Sequence, residues 1–219
     1  MSVIALLHFV VGCGAVIAGF TSLLVKKGST VHKQSGRMFM VTMLLLSLSG
    51  FYLSYARELQ FTFLLSAFAL YLVVTGWLAV WHSARDRTHV AKCELTFSVL
   101  LCLTCFAWFF LGTALNWSHP ETEPPYGAYA FIGVCVSLFM LGDIKWLKKG
   151  QTSEDNHIHR HLTRVGSSML LATTVFFLGN NHVLPESMRT MTVLLTPIFS
   201  VIVITLFYRF TYLRFRKGT

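Results

Sequence analysis

Charge is what this chain has least of. Of its 219 residues only 12% are Asp, Glu, Lys or Arg, and just nine are acidic, whereas a water-soluble domain carries roughly 25% charged residues. So little charge cannot clothe a water-facing surface, which excludes a soluble enzyme, a secreted disulfide scaffold and a disordered tail. Proline is scarce as well, five residues in all, and Pro197 alone falls inside an apolar run. The five cysteines show no metal-ligand spacing, so no metal site is expected. Cys102 and Cys105 form a C-x-x-C in the middle of an apolar run, where small packing residues are the expected role. Period-2 alternation is missing, which excludes a membrane β-barrel. No phosphate loop, nucleophile elbow or zincin motif marks an enzyme class.

What the chain does have is apolar length. A spanning helix needs about 20 mostly apolar residues, because the hydrocarbon core is roughly 30 Å thick and the helix rises about 1.5 Å per residue. Seven segments qualify: 3–25, 38–56, 61–84, 95–115, 128–147, 162–182 and 190–213. The fold predicted is an all-α polytopic bundle of seven transmembrane helices, one membrane domain over 1–219. The first span lacks a basic leader and a cleavage site, so it is expected to be a retained helix rather than a signal peptide.

The basic residues partition in step with those spans. All but Arg57 and Arg189 of the 18 Lys and Arg fall in the loops 26–37, 85–94 and 145–164 or in the C-terminal tail. Basic residues stay on the cytoplasmic side, which predicts an outer N-terminus and an inner C-terminus. The net charge of +9 is therefore accounted for by topology and by the lipid bilayer as partner, not by nucleic acid. Tyr52, Tyr55, Trp117, Tyr126 and Tyr129 near outer ends, with Trp81, Trp146, Tyr208 and Tyr212 near inner ones, read as interfacial belts. Pro197 is expected to kink the last helix.

Two inner loops share a pattern. Lys26-Lys27-Gly28-Ser29-Thr30 leads through His32 to Arg37, and Lys148-Lys149-Gly150-Gln151-Thr152 leads through His159 to Arg164. A duplicated helical hairpin, repeated in parallel about an axis along the membrane normal, is one reading; chance similarity of short basic loops is the other. Each His is placed to bond a last-turn carbonyl or, with its Arg, an anionic headgroup. The K-G-x-x-x-H-x4-R loop, with the His161–Arg164 run and the small-residue helix ending in Asn180, resembles an uncharacterised bacterial family of multi-pass inner-membrane proteins. The resemblance implies a bacterial inner-membrane location, with His32, Arg37, His161, Arg164 and Asn180 as the matching positions, and no activity.

Nine histidines are many for so apolar a chain. With helical spacing His8 shares a face with Gly12, Ala15 and Gly19, and His182 with Gly179, Val175, Ala172 and Ser168. Two imidazoles above strips of small residues suit a b-type haem held between helices; the same strips suit close helix packing in lipid. His157, His159 and His161 form a tract too rich in neighbouring cations to trap a metal ion. Asp143, near the inner end of its span, is expected to pair with Lys145, Arg37 or Arg164 rather than to relay protons. Three functions follow: a haem b redox protein using His8 and His182, a small-molecule transporter or permease, or a non-enzymatic membrane sensor or assembly component. Protein partners and oligomeric state are left open.

Overall fold

The computed structural model describes residues 2–81, 87–115, 123–148 and 154–216. Seven long helices fill it: α1 (Val3–Leu24), α2 (Thr30–Ala56), α3 (Gln60–Trp81), α4 (Arg87–Ala114), α5 (Tyr126–Lys148), α6 (Glu154–Thr174) and α7 (Met191–Arg216). Each contains a stretch long and apolar enough to cross a membrane, and no strand occurs among the described residues. The chain is an all-α polytopic helix bundle. Leucine, phenylalanine and valine cover its outside, as Leu103, Phe131, Val203 and Phe207 do; such a surface is stable against hydrocarbon and not against water. The helices α1, α3, α5 and α7 all finish at one end of the bundle, called here the basic end.

The even-numbered helices begin well before their apolar runs. α2 starts at Thr30 rather than 38, α4 at Arg87 rather than 95, and α6 at Glu154 rather than 162. Each gains about two turns of charged helix at the basic end. The connection before α2 is correspondingly short. Gly28 takes the left-handed φ of +79°, and the Ser29 hydroxyl caps the new helix by accepting from His32 N–H. Lys27 Nζ closes α1 by donating to Ser22 O and Leu23 O, each at 2.8 Å. It lies 4.1 Å from the Tyr208 ring centre, and burial there lowers its ammonium to about 8.

α3 is the central wall. One apolar cluster on it joins Leu64, Phe68 and Leu72 to Leu101 and Cys105 of α4 and to Ile132 and Val136 of α5. The other joins Val73 to Ala15 and Ala18 of α1, Phe39 and Met43 of α2, Met169 of α6 and Val201 of α7. The strip of α1 that carries Gly12, Ala15 and Gly19 is therefore spent on packing: Gly12 faces Leu46, while Gly19 receives Met169 and Phe39. α3 and α6 approach closely at Gly76, where an added Cβ would meet Val165 at 3.0 Å and Arg164 at 3.1 Å.

α6 does not stay α-helical to the end away from the basic end. From Val175 to Gly179 it widens into a π turn, closed by Asn180 N–H donating to Val175 O at 3.1 Å, and continues as a 3₁₀ turn at Asn181–Val183. The β-branched run Thr173-Thr174-Val175 and Gly179 are weak α-formers, which explains where the helix gives way. The expected sixth span, drawn to 182, is thus regular only to Thr174. Some interfacial aromatics are also interior. Tyr129 is 1% exposed because its ring packs on Phe61 and Trp108 and its hydroxyl donates to Glu123 at 2.5 Å. Tyr52 and Tyr55 are exposed, as a belt requires. α7 runs unbroken through Pro197.

The two similar hairpins are built differently. α1 and α2 pack side by side along their lengths, whereas α5 and α6 meet only lightly among the described residues; the turn at 149–153 lies outside them. A Gly76→Leu variant should lower the thermal unfolding midpoint in detergent, by about 1–3 kcal/mol of overpacking. Gly142→Ala, with nothing within 4 Å of its added Cβ, should leave it unchanged or raise it.

Candidate functional site

The bundle buries charge at its basic end. Asp143 of α5, 2% exposed, accepts through Oδ1 from Arg164 Nη2 at 2.5 Å and Arg160 Nη2 at 2.8 Å, and through Oδ2 from the Tyr71 hydroxyl. Arg160 Nη2 also donates to Glu94 Oε2 of α4 at 2.8 Å. Five side chains from α3, α4, α5 and α6 thus form one network with two positive and two negative members. Arg160 and Arg164 are four apart on α6, so they share a face, and that face looks toward α4 and α5. Aromatic planes support both guanidinium groups: Arg160 lies 4.4 Å from the Trp146 ring, and Arg164 4.7 Å from Tyr71 and 4.6 Å from Phe139. Arg164 Nη2 also donates to Phe139 O at 3.1 Å.

This network spans a wide gap between backbones. α5 and α6 have few close backbone approaches, and the long arginine arms reach across what remains. At the opposite end a third carboxylate holds the same hairpin. Glu123, just before α5, accepts from Phe61 N–H at 2.8 Å, in the first turn of α3, where free amides and the helix dipole favour an anion. The α4–α5 hairpin is therefore pinned to the rest of the bundle by Glu94 and Asp143 below and Glu123 above, with apolar contact to α3 between.

Several polar atoms in the network have no partner. Arg160 Nε, Arg164 Nη1, Trp146 Nε1 and Glu94 Oε1 are all buried without a hydrogen bond, and so is Ser168 Oγ, one turn along α6 from Arg164. Four of these five can donate and one accepts. Unmet groups in such a setting cost free energy and call for a cause. Inward from the network, α4 presents Glu94, Ser98, Cys102 and Cys105 on one buried face. Cys102 Sγ lies 3.1 Å from Ser137 Oγ of α5, so small polar groups continue toward mid-bundle.

The residues singled out from sequence distribute unevenly. Asp143 and Arg164 join the network, through one of the expected pairings. His161 lies beside it and bonds Gly76 O of α3 through Nδ1 at 2.8 Å. His32 Nδ1 lies 3.0 Å from Ser22 O, a carbonyl of the last turns of α1. His159 is half-buried and its carbonyl accepts from Thr163. Arg37 is exposed, so the two arginines of the similar loops have opposite environments. Asn180 ends the π turn, its side chain donating to Val175 O at 3.3 Å. His8 Nδ1 lies 2.8 Å from Ser49 Oγ of α2. His182 is exposed in the 3₁₀ turn, with Arg189 donating to its carbonyl. The change of helix type shifts the α-helical register that would set His182 above Ser168 and Ala172; Phe9, next to His8 on α1, stacks on Phe176 of the π turn at 6.0 Å. No group of three His, Cys, Asp or Glu side chains suited to a metal ion occurs among the described residues.

Sequence reasoning passed over Glu94, Arg160 and Tyr71. Arg160 reads as one of the loop cations, and neither Glu94 nor Tyr71 belongs to any motif. The signal was present in Arg160 and Arg164 at i and i+4, followed directly by an apolar run. No protein-family model matches the chain, and no characterised protein or solved structure shows significant similarity to it.

Removing one member should strand the others. Asp143→Asn should destabilise the folded protein by about 3–5 kcal/mol, the cost of an uncompensated buried charge, and Arg164→Gln should do so comparably. The double variant should cost clearly less than the sum. Thermal unfolding in one detergent checks the cycle; strict additivity would mean that the two groups do not interact.

Proposed function

We propose that this protein is a multi-pass carrier for a small anionic solute, gated at its cytoplasmic end by the Glu94–Arg160–Asp143–Arg164–Tyr71 network. The reading takes the basic end as cytoplasmic, following the positive-inside partition. One observation carries it: a buried network with more unmet donors than acceptors, joining a hairpin that otherwise meets α6 only lightly. Ionisable groups within spanning helices mark solute and ion pathways. An incoming carboxylate or oxyanion offers the acceptors that Arg160, Arg164, Trp146 and Ser168 lack. By competing with Asp143 for the two arginines, it weakens the link between α5 and α6 and frees the α4–α5 hairpin to move. Binding and opening are thereby the same exchange of acceptors. The hairpin's inner face, with Ser98, Cys102 and Ser137, supplies small polar groups along the way.

The haem reading keeps one supporting feature. With Nδ1 engaged by Ser49 Oγ, His8 can present Nε2 to a metal; the exposed turn that carries His182 supplies no matching support. The sensor or assembly reading has no specific contact behind it. The family resemblance is consistent with any of the three, and with an inner-membrane location.

Proteoliposome uptake of labelled small carboxylates and inorganic oxyanions tests the carrier directly. At least one should accumulate above protein-free vesicles, and Arg164→Gln should reduce that flux tenfold or more, the effect of about 1.4 kcal/mol or more. Arg164→Lys, which keeps the charge and loses the planar fork, should retain part of it. No flux of any anion with folded protein would refute the carrier. A Soret band in the purified protein, lost in His8→Ala, would establish the haem reading instead.

A further inference from the structure

A separate cleft opens between α6 and α7. It encloses about 160 Å³ and is lined on α6 by Leu162, Thr163, Gly166, Ser167 and Leu170, and on α7 by Val201, Ile202, Thr205, Leu206 and Arg209. The two helices run in opposite directions, so the lining is graded. Leu170 and Val201 lie at the deep end, while Leu162, Thr163 and Arg209 lie at the mouth, in the last turns of the apolar spans at the basic end. From Leu162 to Leu170 the helix rises about 12 Å. That is a polar, cationic mouth over an apolar floor, in the orientation a lipid molecule has within one leaflet.

Two unmet groups line this cleft. Arg209 is half-buried and donates to no acceptor among the described residues, although a guanidinium carries five donors. Thr205 Oγ1, one turn deeper, is buried and unpartnered. Gly166 makes the recess: an added Cβ there would run into the Thr205 side chain. The ion network faces α4 and α5, so this cleft is distinct from it and does not depend on the carrier reading.

We infer that the α6–α7 cleft is a binding site for one anionic phospholipid of the leaflet at the basic end, its phosphate held by Arg209 and the Thr205 hydroxyl and its acyl chain lying along Leu170, Val201 and Ile202. A guanidinium at the headgroup level with no acceptor among the described residues is complementary to a net negative headgroup. A zwitterionic lipid carries its own cation and satisfies Arg209 less well. Free phosphate could engage Arg209 but would leave the apolar floor empty.

Native mass spectrometry of the full-length protein, with added phosphatidylglycerol or phosphatidylcholine in matched amounts, tests the site. One phosphatidylglycerol should be retained in preference, by about fivefold for a single basic contact. Arg209→Gln should abolish the preference, whereas Lys26→Gln, an exposed cation at the same end, should leave it intact. Ser167→Phe, which fills the recess, should lose the retained lipid whatever its headgroup. Equal retention of both lipids, or an unchanged preference in Arg209→Gln, would overturn the proposal. Displacement by inorganic phosphate would also overturn it and assign the site to the free ion.

Discussion

The contact between Asp143 and the paired guanidinium groups of Arg160 and Arg164 is the constraint on which the rest of this bundle depends. Elsewhere the helices hold together as membrane helices do, by small residues that allow close approach: Gly19 beneath Met169, Gly76 beneath Val165. The α4–α5 hairpin has apolar contact with α3 and only light contact with α6. Long arginine side chains carry its basic end, and Glu123 the opposite end. Charge placed so deep is costly to desolvate, and a bundle needing only stability has cheaper solutions in leucine and phenylalanine. The proposed opening of the joint accounts for the placement.

The network also orders the neighbouring chemistry. Tyr71 fills the second oxygen of Asp143, Trp146 and Phe139 floor the two arginines, and His161 fixes α6 against α3 one residue from Arg160. The α3–α6 wall is thereby held closely just where the α4–α5 hairpin meets it. Arg160 Nε, Arg164 Nη1 and Trp146 Nε1, on the residues that form that joint, are buried without a hydrogen bond. In the proposed carrier, the charge-held hairpin and these unpaired donors are the parts that form the gate.

The seven helices were legible because hydrophobic runs of this length have one stable form in lipid, and the partition of Lys and Arg agreed with them. The helix starts at the basic end were not, because Thr30–Arg37, Arg87–Glu94 and Glu154–His161 are too polar to register as spans although they are regular helix. That misplacement hid the site. Glu94 and Arg160 sit on those extensions, where charges look like loop charges until the helix gives them a face. Asp143 with Arg164 was legible as one pairing among three. His182 shows the opposite failure, since its face was counted on α spacing through a segment that turns to π and then 3₁₀. Local sequence signals mark where a helix weakens; they do not fix which register replaces it.

Spin labels at Lys145→Cys and Ile158→Cys, exposed positions on α5 and α6 near the joint, measure its state directly when the other reactive cysteines are replaced. With the network intact, electron–electron distance measurements should give one narrow, short separation across the joint. In an Arg160→Gln/Arg164→Gln background the account predicts a broader and longer distribution. An unchanged narrow distance in that background would mean that packing, not the buried charges, holds the hairpin, and would contradict the account at its centre.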